Sequence, residues 1–415
     1  MPRSLSATDL AGLLSPGQRI FVPGLASELP LIRRALEACP EAASDITFCG
    51  ALVPGINSFD YASLHRSSRV EALFVSPLHA ASMAAGQVDQ IPLGYHAAFQ
   101  HYGQTSFDLV VVHVSPPDVA GRCSLGVTTD FAEAALRGAR RVMAVVNPLM
   151  PRTAGPSIAF ESFDFVIEES STLPSLAAEA SADPASIRIA ENVAALIRDG
   201  DCLQFGIGKL PGLILGSLGD RRRLTVHSGL VTDAVLPLLE AGSLAGPEHA
   251  GRRPVVTNAL VGTSNLYERA TSDEFLFANV GYTHAFDTLS HLTNFVSINS
   301  AIEVDLFGQV NSETIAGRPV SGIGGAGDFI RGANAYIGGR AIVALPSVTA
   351  KGKSRLVTRF DAGAPVSIPR SEGIIVVTEN GVADLRGKSV RRRAEALIEI
   401  AADVHREELS RVFFD

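Results

Sequence analysis

The sequence predicts an α/β protein made of two similar halves on mainly parallel sheets, and three observations carry that prediction. Runs such as Leu109 to Val114 and Arg141 to Val146 are almost continuously apolar, as strands buried on both faces must be. They alternate with stretches of helical periodicity, as right-handed crossovers between parallel strands require. The chain also echoes itself in order, which points to a duplicated domain.

The echo fixes the elements one by one. Arg19-Ile20-Phe21-Val22-Pro23-Gly24, followed by the helical run Leu29 to Leu36, has the order of Cys202-Leu203-Gln204-Phe205-Gly206 followed by Pro211 to Leu218. Both read as strand, glycine turn, helix. Ile46 to Val53 parallels Leu224 to Val231. Val110 to Ser115, then Gly121 to Ser124, parallels Val296 to Ser300, then Gly308 to Ser312. Asp183-Pro184, after the polar stretch Glu168 to Ala182, marks the expected boundary, with a helix from Pro184 opening the second half. The expected domains are therefore 1–183 and 184–415. Ligands of such sheets are expected beyond the carboxyl ends of the strands.

Composition excludes several classes. Hydrophobic residues at 46% and charged ones at 19% fit a globular enzyme, and a formal net charge of -8 argues against a nucleic-acid partner. The basic runs Arg221 to Arg223 and Arg391 to Arg393 read as solvated faces. No apolar run is long enough to span a bilayer, and Met1 to Ser6 lacks the apolar core of a signal peptide, so a cytoplasmic protein without a membrane partner is expected. Cys39, Cys49, Cys123 and Cys202 show neither metal-ligand nor redox-pair spacing. No metal is expected, and reduced, buried thiols are.

Two glycine-rich loops carry the chemistry. Gly206-Ile207-Gly208-Lys209-Leu210 ends a strand and opens a helix with Pro211 in its first turn, where exposed N–H groups suit negative charge. In Gly322-Ile323-Gly324-Gly325-Ala326-Gly327, glycine is too frequent for a helix or strand interior, so the backbone itself is needed for close approach. Asn299, Glu303 and Asp305 alternate along one expected strand, a polar face from which Glu303 is a weak catalytic candidate. His227 is another, although alternation turns its side chain away from that of Ser228. Thr232 and Asp233 read as a helix cap before Ala234 to Leu239, and Glu379-Asn380-Gly381 as a turn. A Rossmann dehydrogenase is disfavoured, because no Gly-x-Gly-x-x-Gly follows the first strand.

These loops, together with His227-Ser228-Gly229-Leu230-Val231-Thr232-Asp233, Ile298 to Leu306, Val114 to Asp118, Asn147 to Arg152 and Val377 to Ala383, resemble the acetyl-CoA hydrolase/transferase family of single-chain CoA-transferases. The resemblance covers nearly the whole chain. It implies two CoA-transferase-type α/β domains with the active site in the cleft between them. Coenzyme A would be the (co)substrate, acyl-CoA and a small carboxylic acid the partners, and a homodimer the assembly. It further implies that the backbone N–H groups of Ile207 and Gly325 form an oxyanion hole, and that Gly206, Ile207, Gly208, Lys209, Leu210, Gly322, Gly324 and Gly325 hold CoA. Members of the family carry Thr-Glu where this chain has Ser228-Gly229, and that glutamate is the nucleophile.

Gly229 offers no carboxylate. Removing a covalent nucleophile costs several orders of magnitude in rate, so three outcomes are open: hydrolysis of a CoA thioester by water, transfer through another carboxylate or the substrate's own, or a non-catalytic CoA-binding or assembly role. Gly229→Glu alone is expected to restore transfer, provided that Gly229 does not have a positive φ.

Overall fold

Strand β2 (Arg19–Phe21) lies inside a sheet that extends from it in two directions. The structure, a computed structural model describing residues 1–176, 183–245 and 253–414, packs as two compact units. One comprises Met1–Ala177, Val256–Thr283 and Val320–Gly324; the other comprises Ala178–Val255, His284–Pro319 and Gly325–Asp415. Residues 177–182, part of the stretch where the boundary was expected, lie outside the described residues.

In the first unit the strands are β1 (Arg3–Ser4), β2, β3 (Thr47–Gly50), β4 (Arg69–Ala72), β5 (Val88–Gln90), β6 (Leu109–Val114), β7 (Val142–Val146) and β8 (Phe165–Glu168). They form one sheet in the order β1-β8-β7-β6-β2-β3-β4-β5, and every pairing is parallel. All six positions of β6 are buried, His113 among them, as its almost continuously apolar sequence requires. Helix α1 (Pro30–Ala38) buries Leu31, Ile32 and Leu36 against a core containing Ile20, Val22 and Phe48. Each such side chain contributes about 1.5–3 kcal/mol by leaving water.

The second unit repeats this plan. Its strands β9 (Cys202–Phe205), β10 (Thr225–Val231), β11 (Phe295–Ser300), β14 (Arg340–Ala344), β16 (Ile375–Thr378) and β17 (Gly381–Asp384) run in the order β10-β9-β11-β14-β16-β17. All of these pairings are parallel except the hairpin β16-β17, which turns at Glu379-Asn380 as expected. The register shows the duplication directly. Ile20 faces Phe48 on one side and Leu109 on the other; Leu203 faces Val226 and Val296. In both sheets the first strand of the motif has neighbours on either side from opposite windings, which makes a topological switch point at its carboxyl end.

Helix α2 (Pro184–Ala194) opens where expected, with the Asp183 carboxylate accepting from the N–H of Ser186 at 2.9 Å. Helix α3 (Lys209–Gly216) follows β9. Thr232 holds the position before the turn Asp233–Val235, but its hydroxyl makes no capping hydrogen bond, so the expected cap is absent. A second difference concerns the polar strand. Asn299 ends β11, while Glu303 and Asp305 belong to a separate strand, β12 (Glu303–Asp305), in a three-stranded sheet with β13 (Val310–Asn311) and β15 (Leu356–Val357). The break falls at Ala301-Ile302, where the Ile302 N–H turns to the Asn311 carbonyl. Alternation of polar and apolar residues continues across such a break, so the pattern alone could not show it.

Among the described residues no helix is long and apolar enough to cross a membrane. Cys49, Cys123 and Cys202 are buried free thiols, but Cys39 is exposed.

Candidate active site

The carboxyl end of β9 positions the first loop. The Gly206 N–H donates to the Ile298 carbonyl at 3.1 Å, continuing the ladder one residue beyond the strand. Beneath it, Ser297 Oγ donates to Gln204 Oε1 at 2.7 Å, and Asn299 Nδ2 donates to Ser297 Oγ at 2.8 Å. This buried network stiffens the end of the sheet. Gly208 then has φ +109°, a conformation that favours glycine, and helix α3 begins. A β-carbon at Gly206 or Gly208 would meet nothing within 4 Å, and Ile207 is 38% exposed. Backbone N–H groups at the start of α3 thus border open space, as an anion or developing oxyanion requires. Lys209 Nζ lies 3.1 Å from Asp183 Oδ2, so its charge is engaged with the cap of α2.

Gly229 sits on β10 without a positive φ, so the backbone would admit any residue. The space beside it is filled. A β-carbon there would lie 2.9 Å from both Cε1 and Nε2 of His284. One at Gly325, the residue preceding helix α4 (Ala326–Asn334), would lie 2.4 Å from the same Nε2 and 2.5 Å from Cδ2. The imidazole of His284 is therefore wedged between two glycines of the second unit. It is 2% exposed, and it packs on the ring of Phe329 with centroids 4.4 Å apart. Glutamate at 229 meets its backbone condition, but its β-carbon requires the His284 ring to shift. Sequence reasoning missed His284 because a lone histidine in Thr283-His284-Ala285-Phe286 carries no spacing signal.

The other candidates make framework contacts. Ser228 Oγ lies 3.0 Å from the carbonyl oxygens of both Phe205 and Leu230, so its single proton is shared between them and closes the backbone around the strand ends. His227 is 3% exposed and meets the ring of Phe295 edge-on at 6.4 Å. Glu303 accepts from Asn311 Nδ2 at 2.9 Å across the β12-β13 pair, and Asp305 accepts from the N–H groups of Phe307 and Gln309. Both carboxylates tie down the small sheet. Gly322 and Gly324 fall in the first unit's stretch Val320–Gly324, where a β-carbon at Gly322 would lie 2.2 Å from the Leu73 carbonyl oxygen. Leu210 occupies the first turn of α3, and among the described residues no cluster of three His, Cys, Asp or Glu is placed to hold a metal ion.

In the basic runs Arg222, Arg223, Arg391 and Arg392 are exposed, and one arginine of each run is half-buried and bound to backbone. Arg221 donates to the carbonyls of Ile197 and Ala194, and Arg393 donates to those of Phe307 and Arg370.

Gly325 yields a first prediction. Gly325→Ala should displace the imidazole and lower stability by about 1–3 kcal/mol through overpacking, read as a reduced midpoint in thermal or urea unfolding. An unchanged midpoint would show that the ring moves freely.

The first unit has its own concavity at the corresponding switch point. A small, partly open cavity is lined by Phe21, Gly24 and Ser27 after β2, by His113 on β6, and by Thr128 and Asp130. Ser27 Oγ, Thr128 Oγ1 and Asp130 Oδ1 are buried without a hydrogen-bond partner. Burial pushes the Asp130 carboxyl up to about 8 and the His113 imidazole down to about 4.

Comparison with known proteins bears on the whole chain. Residues 3–175 match the acetyl-CoA hydrolase/transferase N-terminal domain, and residues 262–413 match the acetyl-CoA hydrolase/transferase C-terminal domain. Gly206, Gly229 and their loops fall between the two matches. The chain is 38% identical over 367 residues to a 4-hydroxybutyrate coenzyme A transferase of Clostridium kluyveri, covering 86% of this chain and 85% of that protein. It is 32% identical to a succinyl-CoA:acetate/propanoyl-CoA:succinate CoA transferase of Fasciola hepatica, covering 97% of this chain and 86% of that protein. Among solved structures, RipA from Yersinia pestis superposes with a TM-score of 0.90 at 30% identity, covering 99% of this chain and 96% of RipA.

Proposed function

Because the chain belongs to the acetyl-CoA hydrolase/transferase family, and is thereby an enzyme of CoA esters, we propose that it hydrolyses the CoA thioester of a small carboxylic acid by direct attack of water. One observation carries the choice of water: Gly229 presents no carboxylate, and the space where a side chain would start is taken by His284. Glu303, the other carboxylate weighed for the role, is bound to Asn311 in a separate sheet.

On this reading the carbonyl oxygen of the thioester points at the backbone N–H groups of Ile207 and Gly325. Water adds to the carbonyl carbon, and the negative charge that develops on oxygen is met by those donors. One such donor is worth roughly 3–4 kcal/mol of barrier in acyl transfer. Collapse of the tetrahedral intermediate breaks the C–S bond, releasing the free acid, and the proton taken from water returns to the CoA sulfur.

The test is incubation of the protein with a panel of acyl-CoAs, followed by mass spectrometry and a free-thiol assay. Free CoA and free acid should accumulate with no covalent adduct on the protein, and borohydride should leave the rate unchanged. A CoA or acyl adduct mapped to any side chain would overturn direct water attack and identify the group that replaces it.

A further inference from the structure

We infer that His284 is the catalytic base of the hydrolysis, an imidazole occupying the place from which a carboxylate at position 229 would have acted. The inference rests on the hydrolytic reading above. Three features of the second unit support it.

The first is position. Nε2 lies against both glycines, since the ideal β-carbons of Gly229 and Gly325 would come within 2.9 and 2.4 Å of it, with Cε1 equally near the first. The Nε2 edge of the ring is thus aimed at the seam between the strand and the glycine loop. The second is restraint. With Phe329 on one face at 4.4 Å between centroids and a residue exposure of 2%, the ring has little freedom to rotate away. Gly325 also belongs to the loop whose N–H is assigned to the oxyanion, so base and oxyanion donor are built from adjoining atoms. The third is chemistry. Imidazole can take a proton and return it near neutrality, which a hydrolysis needs twice in one cycle.

The step balances without any other reactant. Nε2 removes a proton from water as its oxygen bonds to the thioester carbon, giving an imidazolium and a tetrahedral oxyanion. As the carbonyl re-forms, the C–S bond breaks and the imidazolium delivers its proton to the departing sulfur. The ring ends as it began.

A packing role for the same ring predicts different behaviour, and substitution separates the two. His284→Phe keeps an aromatic ring against Phe329 but has no basic nitrogen; His284→Gln keeps polarity without a usable base; His284→Ala leaves a hole the size of an imidazole. With an acyl-CoA that the wild type hydrolyses, all three should lose roughly 10²–10⁴-fold in kcat. They should still bind CoA by calorimetry, and added imidazole should restore part of the rate to His284→Ala alone. Hydrolysis within a few-fold of wild type in the Phe or Gln variant would overturn the inference while leaving the hydrolytic reading intact. So would loss in all three with no rescue by imidazole. If the wild type releases no CoA from any thioester, both readings fall together.

Discussion

Gly229→Glu in the otherwise unchanged chain is expected to lower stability by about 1–3 kcal/mol and to give no CoA transfer, whereas Gly229→Glu combined with His284→Gly is expected to form a glutamyl-CoA adduct and to transfer CoA to a small carboxylate. The single variant drives a β-carbon to 2.9 Å from a buried ring, and overpacking of that kind carries the stated penalty. It also places a carboxylate where no room has been made for it. Removing the imidazole vacates the space, and the absence of a positive φ at 229 means that the backbone presents the new side chain without strain. Transfer from acetyl-CoA to butyrate or succinate, with the adduct trapped by borohydride, is the measurement. The expected gain in transfer is several orders of magnitude, because a covalent nucleophile is being supplied. A single variant as stable as wild type would show that the ring yields, and a well-folded double variant without an adduct would show that more than the nucleophile has changed.

The second large effect concerns stability against pH in the first unit. Burial raises the Asp130 carboxyl from its model-compound value of 3.8 to about 8, and Asp130 is also a non-glycine residue at φ +32°. Between those two values the folded protein holds a proton that the unfolded chain releases. This contribution is therefore least unfavourable below about pH 4, worsens as pH rises through 4 to 8, and is constant above that. A shift of this size corresponds to several kcal/mol at the upper limit. Asp130→Asn keeps the shape and tolerates positive φ, and it removes the titration. The variant should unfold at about the wild-type temperature at pH 4 and several degrees higher at pH 8.5. Parallel curves across that range would show that the carboxyl is not buried as an acid.

The duplication was legible because parallel strands buried on both faces leave long apolar runs, and because glycine turns punctuate them in a repeated order; β2, β3 and β6 return as β9, β10 and β11. The glycine loops were legible for a related reason. When the backbone itself must approach a ligand or turn through positive φ, as at Gly208, the requirement is written in the residue type. The polar strand from Asn299 to Asp305 was misread as continuous because side-chain alternation is blind to a change of hydrogen-bonding partner. His284 was illegible for a deeper reason. Its importance lies in a contact with Gly229 and Gly325 that only the folded chain makes, and a residue recognised by what is absent from its neighbours has no local pattern to betray it.

The contact between His284 and Gly229 also constrains history. A β-carbon at 229 would lie 2.9 Å from the His284 ring as it is held here, so a side chain at 229 and histidine at 284 each cost more in the presence of the other. A path that reaches histidine at 284 after glycine at 229, or leaves it before a side chain returns to 229, avoids that cost of about 1–3 kcal/mol; the reverse order incurs it.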